Sequence, residues 1–147
     1  MKANVRKTTA DTLAVRGVAL SFNSLHERDI RREGETEKLI EEKYPGALDI
    51  LNMKVELGDV KDGVELANLY ESVTKGCCEF FDTLFGEGTS AKLLGDDPYC
   101  GQAIQLFTEF KTEIMKQGLD FGQNVGKTLT QYEPVGPAGE KPAVKPA

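Results

Sequence analysis

The sequence predicts a mainly α-helical fold, a small helical bundle with a short β-hairpin at its N-terminal end. Two observations support this. Between residues 59 and 115, apolar side chains recur every three or four positions along two long segments, which is the spacing of helices buried along one face. Nearer the N-terminus, apolar residues alternate with period two on either side of Arg16-Gly17, which is typical of two short strands joined by a tight turn.

Length and composition indicate one domain with tails. The chain has 147 residues, of which 39% are hydrophobic and 29% charged, enough for one modest core. We predict a flexible N-terminal segment over residues 1–12, a helical domain with the hairpin over 13–118, and a flexible Pro/Gly-rich tail over 119–147. No apolar run has the length of a signal peptide or of a membrane span.

The net charge and the cysteines indicate whether the protein binds nucleic acid and in which compartment it is found. The formal net charge is −6 and no basic residues cluster on one face, which argues against nucleic-acid binding. Cys77 and Cys78 are adjacent and rarely bond each other, although one of them could pair with Cys100. We expect three reduced thiols, as in a reducing compartment, and a cytoplasmic location.

The first half of the chain is predicted to form a hairpin and then a charged helix, followed by a stretch whose secondary structure is ambiguous. The hairpin's apolar residues come first, and Asn23 and Ser24 then offer N-caps for a charged helix that runs to Tyr44. Gly34 is expected to weaken that helix and to interrupt it. Residues 47–57 fit a short helix in their first half and a strand in their last five residues, and we prefer the helix. The hairpin residues predicted to face the core are Leu13, Val15, Val18, Leu20 and Phe22.

The second half is predicted to form two long helices, joined by a short connecting segment with glycines at both ends, which we call the corner. Asp59 is the expected N-cap of the first, which ends at Phe85. In the corner, left-handed glycines are expected to stop the helices, and Thr89 to cap a short helix between them. The last helix is predicted to begin at Pro98, after Asp97, and to stop at Gly118. The corner residues are Gly86, Gly88, Thr89 and Gly95.

No residue constellation indicates catalysis, a cofactor or a metal. His26 is the single histidine, and no cysteine lies near it in sequence, which leaves neither a nucleophile–base pair nor a metal-ligand set. Gly122-Gln-Asn-Val-Gly-Lys-Thr128 has three residues between its glycines, where a phosphate loop needs four. The aspartates before Pro98 read as helix caps. We therefore predict a non-enzymatic protein without cofactor or metal.

The stretch around the corner resembles small proteins encoded among the tail genes of siphophages and prophages of Gram-positive bacteria. The shared pattern is FFD-x-x-FGEGT, a short helix with a lysine and a glycine, and a last helix with F-x-x-F. The resemblance covers roughly residues 13–118. The stretch Pro45–Gly58 and the proline-rich tail do not match the pattern of those proteins. The matching residues are Phe80, Phe81, Asp82, Phe85, Gly86, Glu87, Gly88, Thr89, Lys92 and Gly95, with Phe107 and Phe110 in the last helix and Val15, Gly17 and Leu20 in the hairpin.

The resemblance implies a role in tail morphogenesis in the host bacterial cytosol, similar to that of tail assembly chaperones, which bind the tape measure protein. Apolar side chains in excess of what a small core covers would then bind a partner helix or a second copy of the chain. Alternatives are a structural tail component, a general bacterial interaction domain, and an enzyme using His26, Glu87 or Asp96. The candidate partner-binding residues are Phe80, Phe81, Phe85, Phe107 and Phe110.

Overall fold

The computed structural model describes residues 11–55 and 62–132 and has the predicted class, mainly helical with an N-terminal hairpin. Two strands and five helices are described. In chain order they are β1 (Thr12–Val15), β2 (Val18–Ser21), α1 (Glu27–Lys43), α2 (Ala47–Leu51), α3 (Gly63–Phe85), α4 (Thr89–Leu94) and α5 (Cys100–Tyr132). Helix α3 is central, because it contacts each of the other four helices.

The hairpin forms where the alternation predicted it. β1 and β2 pair antiparallel, with Leu13 opposite Leu20. Arg16 and Gly17 both have positive φ, 53° and 78°, as a two-residue hairpin turn of the I′ kind requires. Arginine is unusual there, and its contacts account for it. Its guanidinium donates to both carboxylate oxygens of Glu109, at 2.8 and 3.1 Å, and to the Leu93 carbonyl at 3.1 Å, which ties the turn to α5 and α4.

Helix α1 differs from its prediction at its start and in its middle. It runs unbroken through Gly34, and its N-cap is His26 rather than Asn23 or Ser24. The His26 Nδ1 atom accepts a hydrogen bond from the backbone N–H of Arg28 at 3.1 Å. The predicted break is wrong because one glycine weakens a helix by about 1 kcal/mol, which the packing of that helix can offset.

Between α1 and α3 a helix spans Ala47–Leu51, the first half of the ambiguous stretch, and residues 56–61 lie outside the described residues. Met53 then takes a left-handed φ of 58°. The predicted cap Asp59 lies outside the described residues, and the N-cap of α3 is Asp62, whose side chain accepts a hydrogen bond from the Val64 N–H.

Helix α5 differs from its prediction at both ends. It begins at Cys100 rather than Pro98 and continues past Gly118 to Tyr132, so residues 119–132, predicted to belong to the tail, are helical. A glycine stops a helix only when it adopts a left-handed conformation, and Gly118 does not. Thr12 belongs to β1 and not to a flexible segment. The remaining parts of the two predicted flexible ends, residues 1–10 and 133–147, lie outside the described residues.

Six phenylalanine rings from β2's end, α3 and α5 make the centre of the core. Phe110 lies in the middle, with ring centroids 5.3 to 6.5 Å from the other five. Most pairs meet edge to face, the arrangement that aromatic quadrupoles favour. Leu13, Val15 and Leu20 of the hairpin close one side of this cluster. Its members are Phe22, Phe80, Phe81, Phe85, Phe107 and Phe110.

Gly76 lies inside α3 where α1 and α2 approach most closely. A methyl group added there would meet the Ala47 Cβ and the Ile40 Cγ2 at 3.4 Å, which is ordinary van der Waals contact. We therefore expect Gly76→Ala to stabilise the protein by about 0.5–1 kcal/mol, through helix propensity and a less flexible unfolded chain. Urea denaturation would measure this, with Gly34→Ala as the propensity reference, because a methyl group there would meet no atom within 4 Å. A loss of stability in Gly76→Ala would show that the contact tolerates no added atom.

Candidate functional site

The phenylalanines predicted to bind a partner belong to the core. Phe80, Phe81, Phe107 and Phe110 are 0% exposed, so the expectation that they form a binding surface is wrong. Phe85 is half-buried and packs on the rings of Phe22, Phe81 and Phe110. The sequence argument assumed that a small core could not cover so many apolar side chains on one helix. The hairpin end and α5 supply rings that cover them.

The corner has a structural role. Gly86, Gly88 and Gly95 have φ values of 116°, 93° and 84°. Thr89 is not a cap, because it is the first residue of α4, and its hydroxyl donates to the Gly86 carbonyl at 2.7 Å.

Asp82 of α3 fixes the start of α4. Its carboxylate accepts hydrogen bonds from the Ser90 backbone N–H at 2.8 Å and from the Ser90 hydroxyl at 3.1 Å. The side chain thus satisfies a free donor at the first turn of α4. This contact accounts for the aspartate that follows the two phenylalanines in the corner motif.

The best-formed concave surface in the described residues is a groove on the other side of α3. It lies between the outer face of α3, the end of α1 and the first turn of α5, and its volume is about 1060 Å³. We call it the α3–α5 groove. It is lined by Tyr44, Ala67, Tyr70, Glu71, Thr74, Lys75, Cys78, Glu79, Asp82, Glu87, Pro98, Tyr99, Cys100, Gly101 and Ile104.

Tyr99 forms one wall of the α3–α5 groove in an orientation that Gly101 permits. The side chain is 62% exposed although it is aromatic. A methyl group on Gly101 would lie 3.3 Å from the Tyr99 ring, so the ring rests on the bare backbone of the first turn of α5. Tyrosine presents both an apolar ring and a polar hydroxyl, which is why it is common at protein interfaces.

The rim of the groove is acidic. Four carboxylates and one ammonium line it, those of Glu71, Glu79, Asp82, Glu87 and Lys75. Three of the carboxylates have partners within the molecule: Glu71 lies 3.5 Å from Lys75, Glu79 accepts hydrogen bonds from Lys43 and from the Tyr44 hydroxyl, and Asp82 accepts the two from Ser90. The hydrogen bonds from Lys43 and Tyr44 hold the pKa of Glu79 below its usual value. The groove therefore favours a ligand with basic groups beside an apolar face.

The three thiols do not form a reactive centre. All are free, as predicted; Cys77 is fully buried, while Cys78 and Cys100 line the groove. Burial raises the pKa of each, most strongly that of Cys77, so the thiols stay protonated near neutral pH and are weak nucleophiles. Glu87 is in the groove, but His26 and Asp96, which the enzyme alternative would need, are not.

Comparison with known proteins identifies the family of this chain. A model described as a family of unknown function, DUF6673, matches residues 33–140. The chain belongs to this family. The match begins within α1 and continues through α2, α3 and α4 into α5, so the groove lies within the segment that defines DUF6673, and the hairpin precedes it. No curated protein and no solved structure matches the chain.

Sequence reasoning missed the groove of this DUF6673 member. Its aromatic residues are Tyr44 at the end of α1, Tyr70 within α3 and Tyr99 just before α5, and no local pattern links them. The sequence feature that could have indicated Tyr99 is a glycine two residues after it, Gly101, at the start of a helix.

Over residues 11–55 and 62–132, no three His, Cys, Asp or Glu side chains are grouped as a metal ion would need. Within the same ranges, none of the helices combines the length and the hydropathy required to cross a membrane.

Proposed function

We propose that this protein is a non-enzymatic adaptor or chaperone of phage or prophage tail assembly, which binds a helical segment of a tail protein in the host cytoplasm. The tape measure protein is the partner that the corner motif implies. The observation that carries the binding role is the α3–α5 groove, which has an exposed aromatic wall and an acidic rim.

The chemistry of the groove supports a protein ligand over a reacting substrate. Ring and aliphatic surfaces from Tyr70, Tyr99 and Ile104 offer apolar contact, while the rim carboxylates offer pairing to Lys or Arg. An amphipathic helix has these two properties on adjacent faces. Burial raises the pKa of the two thiols that face the groove, Cys78 and Cys100, which disfavours the nucleophilic thiolate form of both.

The test is a pull-down from lysogenic or infected cells with the tagged full-length protein, read by mass spectrometry. We expect Tyr99→Ala to reduce recovery of the partner at least about tenfold, because truncating an aromatic anchor at the centre of an interface typically costs about 2 kcal/mol or more. The matched control is Ile30→Ala, which truncates an exposed apolar side chain that does not line the groove.

The identity of the recovered protein decides between the alternatives. A long helical tail protein that is lost with Tyr99→Ala would support the chaperone role. Tube or terminator subunits would replace it with a structural role in the tail. Equal recovery with both variants would contradict binding in the groove, and recovery of host proteins alone would contradict the tail assignment.

A further inference from the structure

The C-terminal part of α5 presents a wide apolar face to solvent. We call residues 115–126 the α5 extension. At about 100° per residue, its apolar residues and glycines fall within an arc of about 160°, and its polar residues lie on the opposite side. Residues 119–126 are all exposed. The apolar face consists of Met115, Gly118, Leu119, Phe121, Gly122, Val125 and Gly126.

The exposure of this face is unusual for this chain. Of the seven phenylalanines, six form the core cluster and the seventh, Phe121, is 52% exposed. Val125, one turn from Phe121 on the same side of the helix, is 39% exposed. Met115 and Leu119, at the other edge of the face, are 67% and 63% exposed. Large apolar side chains exposed together on one helix face usually mark a protein contact.

The α5 extension is also poorly suited to being helical alone. Gly118, Gly122 and Gly126 each disfavour a helix by about 0.8–1 kcal/mol relative to alanine. The extension continues a helix that is packed in the core over its first half, so it bears no nucleation cost, but its glycines make it weak. Packing of its apolar face against another surface would offset that weakness.

The occupant that best fits this face is a second copy of the same chain. The α5 extension holds one cation and one anion, Lys116 and Asp120, within a chain whose net charge is −6. Two copies therefore meet here with little charge repulsion, whereas the acidic rim of the groove would repel its counterpart.

The shape of the face is self-complementary. Around the helix, Phe121 and Val125 lie about 40° apart, Gly118 lies about 20° beyond Val125 and Gly122 about 40° further, so large and absent side chains adjoin on one surface. In a two-fold dimer the same patch meets itself. The Phe121 ring of one copy can then occupy the space over the glycines of the other, where nothing lies within 4 Å of a Cβ placed at Gly118 or Gly122.

We propose that the protein forms a two-fold dimer in which the α5 extensions of two copies pack against each other. The contact continues the core-facing row of α5, since Phe107, Phe110 and the partly buried Ile114 precede Phe121 at helical spacing. It is separate from the α3–α5 groove and leaves that groove open in each copy.

Sedimentation of the full-length chain over a wide range of concentration tests the proposal. We expect a species of twice the mass of one chain. Phe121→Glu should weaken dimerisation at least about tenfold, since it places an unpaired charge in the contact. Tyr99→Glu is the matched control, because it makes the same change at another exposed aromatic residue, and it should leave the dimer intact.

A second variant separates loss of contact from loss of folding. Gly122→Leu raises helix propensity and meets no atom within 4 Å in the single chain, so it should keep the fold while blocking close approach of two helices. We expect it to weaken the dimer, with an unchanged or higher Tm. A wild-type chain that is monomeric throughout would overturn the proposal. So would a dimer unaffected by Phe121→Glu, weakened equally by Tyr99→Glu, or strengthened by Gly122→Leu.

Discussion

Replacing Phe110 by alanine is expected to destabilise the protein by about 3–5 kcal/mol. The ring contacts all five other rings of the core cluster and is 0% exposed. Its removal takes buried apolar area from the core and leaves a cavity that no single neighbour can fill. Because domains of this size are stable by about 5–15 kcal/mol, this loss is a large fraction of the total.

Urea denaturation of Phe110→Ala beside Tyr99→Ala provides the measurement. Tyr99 is also aromatic, but its ring is mostly exposed, so its truncation should change the free energy of unfolding by no more than about 0.5 kcal/mol. If both variants lost the same free energy, Phe110 would not be the centre of the core.

Lys111→Met is the second substitution with a large expected effect. The Lys111 Nζ atom lies 3.1 Å from Glu33 Oε2 and 2.8 Å from Glu37 Oε2, and it sits 5.2 Å above the centre of the Phe107 ring. Removing the ammonium leaves two neighbouring carboxylates on α1 without their cation. We expect a loss of about 1–3 kcal/mol at pH 8, less than for a fully buried pair because Lys111 is partly exposed.

The same cluster makes stability depend on pH. Burial, aided by the hydrogen bond with Glu37, raises the pKa of Glu33 to about 7. A carboxyl group whose pKa is raised in the folded state contributes stability that is complete below its unfolded pKa and lost as pH rises through the folded pKa. Stability should therefore fall between pH 5 and pH 8 by an amount on the order of 1 kcal/mol after solvent screening.

The pKa shifts of Glu37 and Lys111 affect stability outside the range from pH 5 to pH 8. Burial alone would raise the pKa of Glu37, but hydrogen bonds from Glu33 and Lys111 bring it below its usual value, so its contribution is lost only in more acidic solution. For Lys111, burial lowers the pKa, but the carboxylates outweigh it and the net pKa is raised, which matters only in alkaline solution.

Thermal unfolding of three variants across pH 5 to 8 checks both effects. Glu33→Gln should flatten the pH dependence of Tm, and the loss in Lys111→Met should be smaller at pH 5 than at pH 8. Lys116→Met is the control, because its ion pair with Glu113 spans 3.4 Å on an exposed surface and contributes little. A wild-type pH profile in Glu33→Gln would contradict the assigned role of Glu33.

The parts of the fold that sequence could predict are those set by local pattern. Alternation around Arg16-Gly17 identified the hairpin, and three-and-four spacing identified α3 and the first half of α5. Gly118 was misread as a stop because sequence does not reveal whether a glycine takes a left-handed or a helical conformation.

The candidate site depended on tertiary packing and was not predictable in the same way. The sequence argument placed the surplus apolar side chains of α3 on the surface. Phe22 and Phe110, which are distant from α3 in sequence, cover them. The groove arises where α3 meets the start of α5, and the Tyr99 ring in its wall lies against Gly101, at a position that a side chain there would crowd.

The central claim is that the α3–α5 groove holds the partner, and a fluorescence titration of Tyr99→Trp tests it most directly. The chain has no tryptophan, so this variant carries a single reporter in the wall of the groove. With the partner recovered in the pull-down as titrant, we predict a blue shift of the emission as the indole is covered, and no shift for Ile30→Trp. Binding that proceeds without a shift at position 99 would contradict the account.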